Sequence, residues 1–182
     1  MPEGGFDIEV LIESAAWRKM PQVTRTVARA AEAALTVALP VDVPVSLCVA
    51  LVTDAAIARL NRDFLGSDRP TDVLAFPQLS GDVRGVSRRL RGRPRSRAAV
   101  ALGDVAVARS TSARGAREAG LPLRYHLAHL VVHGVMHLLG HDHAEAKEKA
   151  RMRNLERKAL ARLGIGDPYR RPTPKTKARE SR

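Results

Sequence analysis

The apolar and polar positions of this chain predict four β-strands. They are residues 6–12, 45–52, 71–77 and 101–108. In the second stretch valine and leucine occupy every other position, which places them on one side of a strand. The third follows the turn sequence GSDRP and is stopped by a proline. The pattern predicts a small, mostly four-stranded sheet.

Elsewhere the apolar positions recur every three or four residues, which predicts helices. One predicted helix begins at Pro21 and ends before Pro40, and a short one follows a cap at Thr53 or Asp54. Another short helix begins at Ser110, and two longer helices cover 121–139 and about 144–163. The order β-α-β-α-β-β-α-α-α predicts an α+β (mixed α/β) fold, with helices flanking the sheet.

Composition is typical of one soluble domain. The chain has 182 residues, 45% of them hydrophobic, so it can build a core without help from a disulfide or a metal. Its single cysteine cannot form an internal bridge. No apolar run approaches the roughly 20 residues that span a bilayer, and the first residues lack the pattern of a signal peptide. We therefore expect a cytoplasmic protein.

The net charge of +12 is concentrated in two segments. Residues 78–100 carry seven arginines and one aspartate, and residues 170–182 carry six basic residues and one glutamate. The pattern predicts a single domain over 1–169 with a flexible basic insertion at 78–100, followed by a flexible basic tail. Both segments suit a polyanion, because each phosphate that a basic residue neutralises releases counterions. They lack aromatic residues that would stack on bases, so we expect contact with a phosphate backbone and not with bases. The candidates for this contact in the insertion are Arg84, Arg88, Arg89, Arg91, Arg93, Arg95 and Arg97.

The candidate chemistry lies in residues 133–143, which read HGVMHLLGHDH. His133 and His137 are one helical turn apart, about 6 Å between Cβ atoms, so both imidazoles can reach one ion. His129 is about 12 Å along the helix from His137, too far to join them. We expect His129 and His126, earlier on the helix, to pack or form hydrogen bonds.

A third ligand must come from chain that has turned back after the helix. Gly140 supplies the break, and either His141 or His143 follows it, with the spacing favouring His143. Three histidines with a fourth position open to water are typical of catalytic zinc, so we expect one Zn²⁺ per chain. Copper, nickel and iron also accept imidazole ligands.

The same spacing occurs in metzincin proteases, but those carry a glutamate after the first histidine as general base. Here that position is Gly134, which disfavours a metallopeptidase.

The motif closely resembles the HGxLHLxGYDH signature of the YbeY family of bacterial endoribonucleases. Residues 69–77 (RPTDVLAFP) resemble that family's KPTNVLSFP segment, residues 102–108 (LGDVAVA) its LGDI strand, and residues 163–169 (LGIGDPY) the point where many members end. The four motifs occur in the family's order within residues 6–169.

The resemblance implies a fold of a small mixed sheet with helices, and three zinc ligands at His133, His137 and His143. It also implies metal-dependent cleavage of single-stranded RNA, in 3′-end maturation of small-subunit (16S) rRNA and ribosome quality control. The implied partners are rRNA and the small ribosomal subunit, a ribosomal protein and a ribosome-assembly GTPase.

The chain departs from the family where many members have an arginine, because Leu65 stands there. Arg62 and Arg69 lie nearby and are candidates to contact a scissile phosphate. Asp104 and His141 are further catalytic candidates, and the general base stays open. The departure leaves an alternative function: an RNA-binding ribosome assembly factor with weak or no catalysis and a structural zinc.

Overall fold

The computed structural model describes residues 5–39, 43–92, 98–142 and 145–170, without the side chains of Val83 and Arg84. The elements in chain order are β1 (Phe6–Ile12), α1 (Ala15–Arg18), α2 (Val23–Ala38), β2 (Val45–Val52), α3 (Asp54–Leu65), β3 (Val73–Pro77), α4 (Val83–Arg91), β4 (Val100–Ala108), α5 (Arg109–Glu118), α6 (Leu123–Leu138) and α7 (Ala146–Arg162). The α+β class and all four predicted strands are confirmed.

The strands form one sheet in the order β1-β2-β4-β3. β1, β2 and β4 run parallel, while β3 pairs antiparallel with β4 at the edge, Val73 opposite Val107. Strand β4, which comes after β3 in the sequence, lies between β2 and β3 in the sheet, so the sheet order differs from the sequence order. This arrangement makes β4 a central strand, buried on the face that receives the long helix α6.

Helices α6 and α2 both pack on the sheet, α6 against β3 and β4 and α2 against β1, and α7 packs against these two helices. Its sequence is apolar on most of its circumference, which suits a helix covered on several sides. The main core joins the sheet to these three helices and includes Leu35, Leu51, Leu102 and Leu127. On the other face, α3 inserts Ile57 into a smaller cluster with residues of β2, β3 and β4.

Capping interactions explain where two of the predicted helices begin. The Thr53 side chain accepts a hydrogen bond from the Ala56 N–H at 3.2 Å, capping α3 as predicted. Asp54 caps a different helix, α5, because its carboxylate accepts from the N–H groups of Ser110 (2.8 Å) and Thr111 (3.1 Å). One short segment thus fixes the start of two helices.

The prediction of a flexible segment over 78–100 was wrong for residues 83–91, which form α4. Asp82 caps this helix by accepting from the Gly85 N–H at 2.8 Å, and Val86 and Leu90 are buried against the core. Arg88, Arg89 and Arg91 are exposed on its surface. Arg93, Arg95 and Arg97 lie outside the described residues, as does the tail from residue 171. Among the described helices none is long and apolar enough to cross a membrane.

Candidate metal centre

The end of α6 has the geometry that the sequence predicted. Gly140 adopts a left-handed conformation with φ 82°, the His141 N–H donates to the Met136 carbonyl at 3.0 Å, and the Gly140 N–H donates to the His137 carbonyl at 3.0 Å. These two bonds define a Schellman motif, which satisfies the last carbonyl groups of the helix and reverses the chain. The reversal begins three residues after His137.

His133 and His137 converge on α6. Their Nε2 atoms lie 3.1 Å apart, and the ring planes are inclined at 80°. Two nitrogen ligands about 2.0–2.1 Å from one tetrahedral ion are separated by about 3.3 Å. The pair therefore fits two ligands of a single zinc ion.

Glu156 of α7 orients the first histidine of the pair. Its carboxylate is fully buried, and Oε1 lies 2.7 Å from Nδ1 of His133. A carboxylate can only accept this hydrogen bond, so the proton of His133 resides on Nδ1 and the lone pair on Nε2. A histidine held by a carboxylate in this way is the usual arrangement of a metal ligand and its supporting residue.

The charge of Glu156 is maintained by its hydrogen bonds. Burial alone raises the pKa of a carboxyl group, but His129, His133 and Tyr169 around Glu156 outweigh burial and lower its pKa to about 2. The carboxylate is therefore ionised at neutral pH, although it is inaccessible to water. A buried anion of this kind favours the binding of a cation beside it.

Tyr169, in the segment that follows α7, contacts both Glu156 and His129. Its hydroxyl donates to Oε2 of Glu156, and its ring packs against His129 with centroids 5.5 Å apart. Burial and the contact with Glu156 raise the pKa of Tyr169 above its usual range, so the hydroxyl stays a donor. Asp167 fixes the segment by accepting from the Tyr169 N–H at 2.9 Å, and Arg157 lies 3.7 Å from the Asp167 carboxylate.

The two earlier histidines of α6 differ in their contacts. His129 places Nε2 3.9 Å from Oε2 of Glu156, beside the tyrosine. His126 points elsewhere: its Nε2 is buried, without a hydrogen-bond partner among the described residues. Burial lowers the pKa of His126, so this ring is neutral at pH 7.

His141, one of the two options for the third ligand and a candidate base, is only 5% exposed. Burial first, and then the charges of Arg151 and His137, lower the pKa of His141 to about 4. His143, the expected third ligand, lies outside the described residues. Within the described ranges no third histidine, cysteine or carboxylate joins the pair to form a three-ligand cluster.

Gly134 follows the first histidine because α6 approaches β4 closely there. A Cβ atom at this position would lie 2.5 Å from Cγ1 of Val105. The glutamate that a metzincin carries at this place would collide with the sheet. Helix packing therefore excludes that general base, in agreement with the sequence analysis.

Asp104 lies on the other face of the sheet. Val105, its neighbour in β4, faces α6, and successive side chains of a strand point to opposite faces. Asp104 instead lines an open depression with Asp7, Glu9 and Cys48. The structure thus does not bring this catalytic candidate to the histidine pair.

Arg62 and Arg69 are both exposed near the end of α3. The Arg62 guanidinium lies 3.3 Å from Asp63 and 3.7 Å from Asp68, so it neutralises carboxylates of its own segment. Leu65 is 67% exposed beside them. In the described part of the chain, neither guanidinium is within hydrogen-bonding distance of the histidine pair.

The fold and site define an α+β protein whose central helix presents a paired-histidine site, supported by a buried carboxylate. Residues 11–164 match the family described as Endoribonuclease YbeY. The chain is 43% identical over 165 residues to Endoribonuclease YbeY of Parvibaculum lavamentivorans, covering 91% of this chain and 85% of that protein. It is 41% identical over 161 residues to Endoribonuclease YbeY of Rhodopseudomonas palustris, covering 88% and 80%.

The chain belongs to the YbeY endoribonuclease family, as the sequence motifs indicated. Its fold is also similar to the solution structure of TM1509 from Thermotoga maritima, with a TM-score of 0.51 and 23% identity, covering 90% of this chain and 99% of that one. That likeness supports the fold alone.

Proposed function

We propose that this protein is a zinc-dependent endoribonuclease specific for single-stranded RNA, acting in 3′-end maturation of small-subunit (16S) rRNA and in ribosome quality control. The observation that carries the proposal is the convergence of the His133 and His137 Nε2 atoms, 3.1 Å apart, with Nδ1 of His133 held by buried Glu156. The relatives named Endoribonuclease YbeY support the substrate class.

In this proposal His133, His137 and His143 hold one zinc ion. Zinc supplies Lewis-acid chemistry, which stabilises negative charge on a phosphoryl oxygen or activates a water or hydroxyl nucleophile. Glu156 keeps the His133 proton on Nδ1, and Tyr169 holds Glu156 in place. The protein residues thus fix the ligand geometry before RNA arrives.

The proposal places the enzyme in the cytoplasm, bound to rRNA and the small ribosomal subunit, with a ribosomal protein and a ribosome-assembly GTPase as partners. The exposed arginines of α4, Arg88, Arg89 and Arg91, supply positive charge for contact with an RNA backbone. Together with the other arginines of the insertion they would compensate for the missing cation at Leu65.

The test is cleavage of a small-subunit rRNA 3′-precursor fragment by protein of measured zinc content. Native protein is compared with His137→Ala and with His126→Asn, purified identically. His126 belongs to the same helix but points away from the pair, so it controls for loss of an α6 histidine. We expect native protein and His126→Asn to hold about one zinc and to cut, and His137→Ala to do neither.

The alternative function, a weakly catalytic or non-catalytic RNA-binding assembly factor, is favoured by exposed Leu65 at the family's arginine position. In that case native protein binds the fragment without cutting it. Equal cutting by all three proteins would indicate a contaminating nuclease and would contradict the proposed activity.

A further inference from the structure

A basic cavity lies between α2 and α6, separate from the histidine pair. Its volume is about 300 Å³. Arg25, Arg29, Arg124 and Tyr125 line it, and Leu163 and Ile165 contribute apolar residues. We refer to it as the α2–α6 cavity.

The positive charges of the three arginines are in electrostatically unfavourable positions. Arg25 lies in the first turn of α2 and Arg124 in the first turn of α6, where the helix dipole disfavours positive charge. Arg25 and Arg29 are also like charges one turn apart. Neither first turn contains an acidic residue.

In the described part of the chain, none of the three guanidinium groups forms an ion pair with a carboxylate. All three arginines are exposed at the rim of the cavity. A ligand that carries negative charge would therefore relieve repulsion that the folded protein leaves in place.

The lining of the cavity indicates which anion it suits. The Arg124 guanidinium lies 4.6 Å from the centroid of the Tyr125 ring, so a flat cationic group and a flat aromatic group adjoin. Aromatic rings and arginine planes are the surfaces on which unpaired bases stack, while guanidinium groups bind phosphates. This combination fits a nucleotide of a single strand better than an acidic peptide, which has no base to stack.

The position of the cavity connects it to the histidine pair. Tyr125, His129, His133 and His137 follow one another at intervals of four residues, so they form a row along α6. Tyr125 is about 12 Å along the helix axis from His133. The Tyr169 ring packs on His129 within this row, so a strand bound in the cavity would pass Tyr169 to reach the metal ligands.

We propose that the α2–α6 cavity is a second RNA subsite, which binds the phosphates and one base of a single-stranded segment away from the cleaved bond. This inference rests on the proposed function for the identity of the ligand. Arg25, Arg29 and Arg124 bind phosphate oxygens, and Tyr125 stacks on the base.

The test measures binding separately from cleavage. The probe is a fluorescein-labelled 2′-O-methyl single strand of about 12 nucleotides, within the usual range of site sizes, checked intact on a denaturing gel. Its affinity for native protein is compared with that of Arg25→Ser/Arg29→Ser/Arg124→Ser. The control, Arg59→Ser/Arg114→Ser/Arg117→Ser, removes the same charge from exposed arginines of α3 and α5. Thermal unfolding establishes that both variants are folded.

We expect the cavity variant to bind about tenfold more weakly or worse, and the salt dependence of binding to decrease by about 0.7 per lost phosphate contact. The control should change affinity by less than about threefold. Tyr125→Leu should weaken binding about fivefold or more, because it removes stacking and keeps an apolar side chain. A 4-thiouridine probe should cross-link to the peptide that contains Tyr125.

Unchanged affinity of the cavity variant, or equal losses in the two triple variants, would overturn the subsite. If native protein cuts RNA while the cavity variant binds as well as native, the subsite fails and the proposed function stands. If the cavity variant alone loses affinity and native protein cuts nothing, the subsite stands and the proposed nuclease activity fails.

Discussion

Glu156 is the residue on which the geometry of the candidate metal centre depends. Its carboxylate is fully buried and joins His133 on α6 to Tyr169 at the end of the chain's described part. A buried charge without partners would cost several kcal/mol, so these hydrogen bonds are required for the ion to persist. Orientation of His133 is thus linked to the packing of α7 against α6.

We expect Glu156→Gln to weaken zinc binding about 10–100-fold, because loss of a carboxylate behind a ligand histidine typically has this effect. An amide can still accept from Nδ1 of His133, but it carries no charge to favour the cation. Zinc affinity is measured by competition with a chromophoric chelator. Glu148→Gln, which removes an exposed carboxylate from the first turn of the same helix, should bind zinc as native protein does. Equal affinities for all three proteins would show that Glu156 does not support the ligand.

The sequence predicted the histidine pair but not its supporting residues. A spacing of four residues on one helix is sufficient to bring two imidazoles together, and this is local information. Glu156 contacts His133 across 23 residues, so its role depends on how α7 packs. A signal was present, since Glu156 lies four residues from both Met152 and Leu160 on the buried stripe of its helix. An acidic residue in such a stripe requires a buried partner.

At the scale of elements, the contact between α6 and β4 sets the distance of the histidine helix from the sheet. It depends on Gly134, since any side chain there would meet Val105. Packing also explains why the prediction of a flexible segment was wrong for residues 83–91. The density of arginines indicated a flexible segment, but Val86 and Leu90, four residues apart, provide an apolar stripe that buries one side of α4.

We expect Gly134→Ala to destabilise the protein, although alanine favours helices. The added Cβ would lie 2.5 Å from Cγ1 of Val105, and overpacking costs about 1–3 kcal/mol, against about 1 kcal/mol gained from helix propensity. Urea unfolding measures the change. Gly166→Ala is the control, because its added Cβ meets no atom within 4 Å.

A double-mutant cycle isolates the contact itself. Val105→Ala removes the colliding methyl groups, so Gly134→Ala should cost less in that background than in native protein. Equal costs in both backgrounds would contradict close packing at this point as the reason for the glycine.

At the scale of the whole molecule, strand positions and fold class followed from sequence periodicity, but the sheet order did not. Strand β3 pairs with β4 at the edge, while β2 pairs with both β1 and β4. Each strand carries apolar residues that suit several neighbours, so pairing is decided by how the helices between them pack. The position of Asp104 on the face away from α6 is a consequence that only the assembled sheet reveals.

The assembled molecule also predicts how folding should respond to zinc. The core joins the sheet to α2, α6 and α7 through residues such as Leu51 and Leu127, which lie outside the histidine pair. Folding should therefore not require the metal, in contrast to small zinc domains that unfold without it. A ligand that is present at 100 times its Kd and binds only the folded state adds about 2.7 kcal/mol to the free energy of unfolding, or about 5–10 °C to Tm for a chain of this size.

Calorimetry should show one cooperative transition with zinc and one with a chelator, and the two Tm values should differ by this amount. The Tm of His137→Ala should not respond to zinc. Complete unfolding of native protein by the chelator would instead indicate a structural zinc and favour the RNA-binding alternative, because a metal that the fold requires is typically enclosed by four ligands with no position open for chemistry.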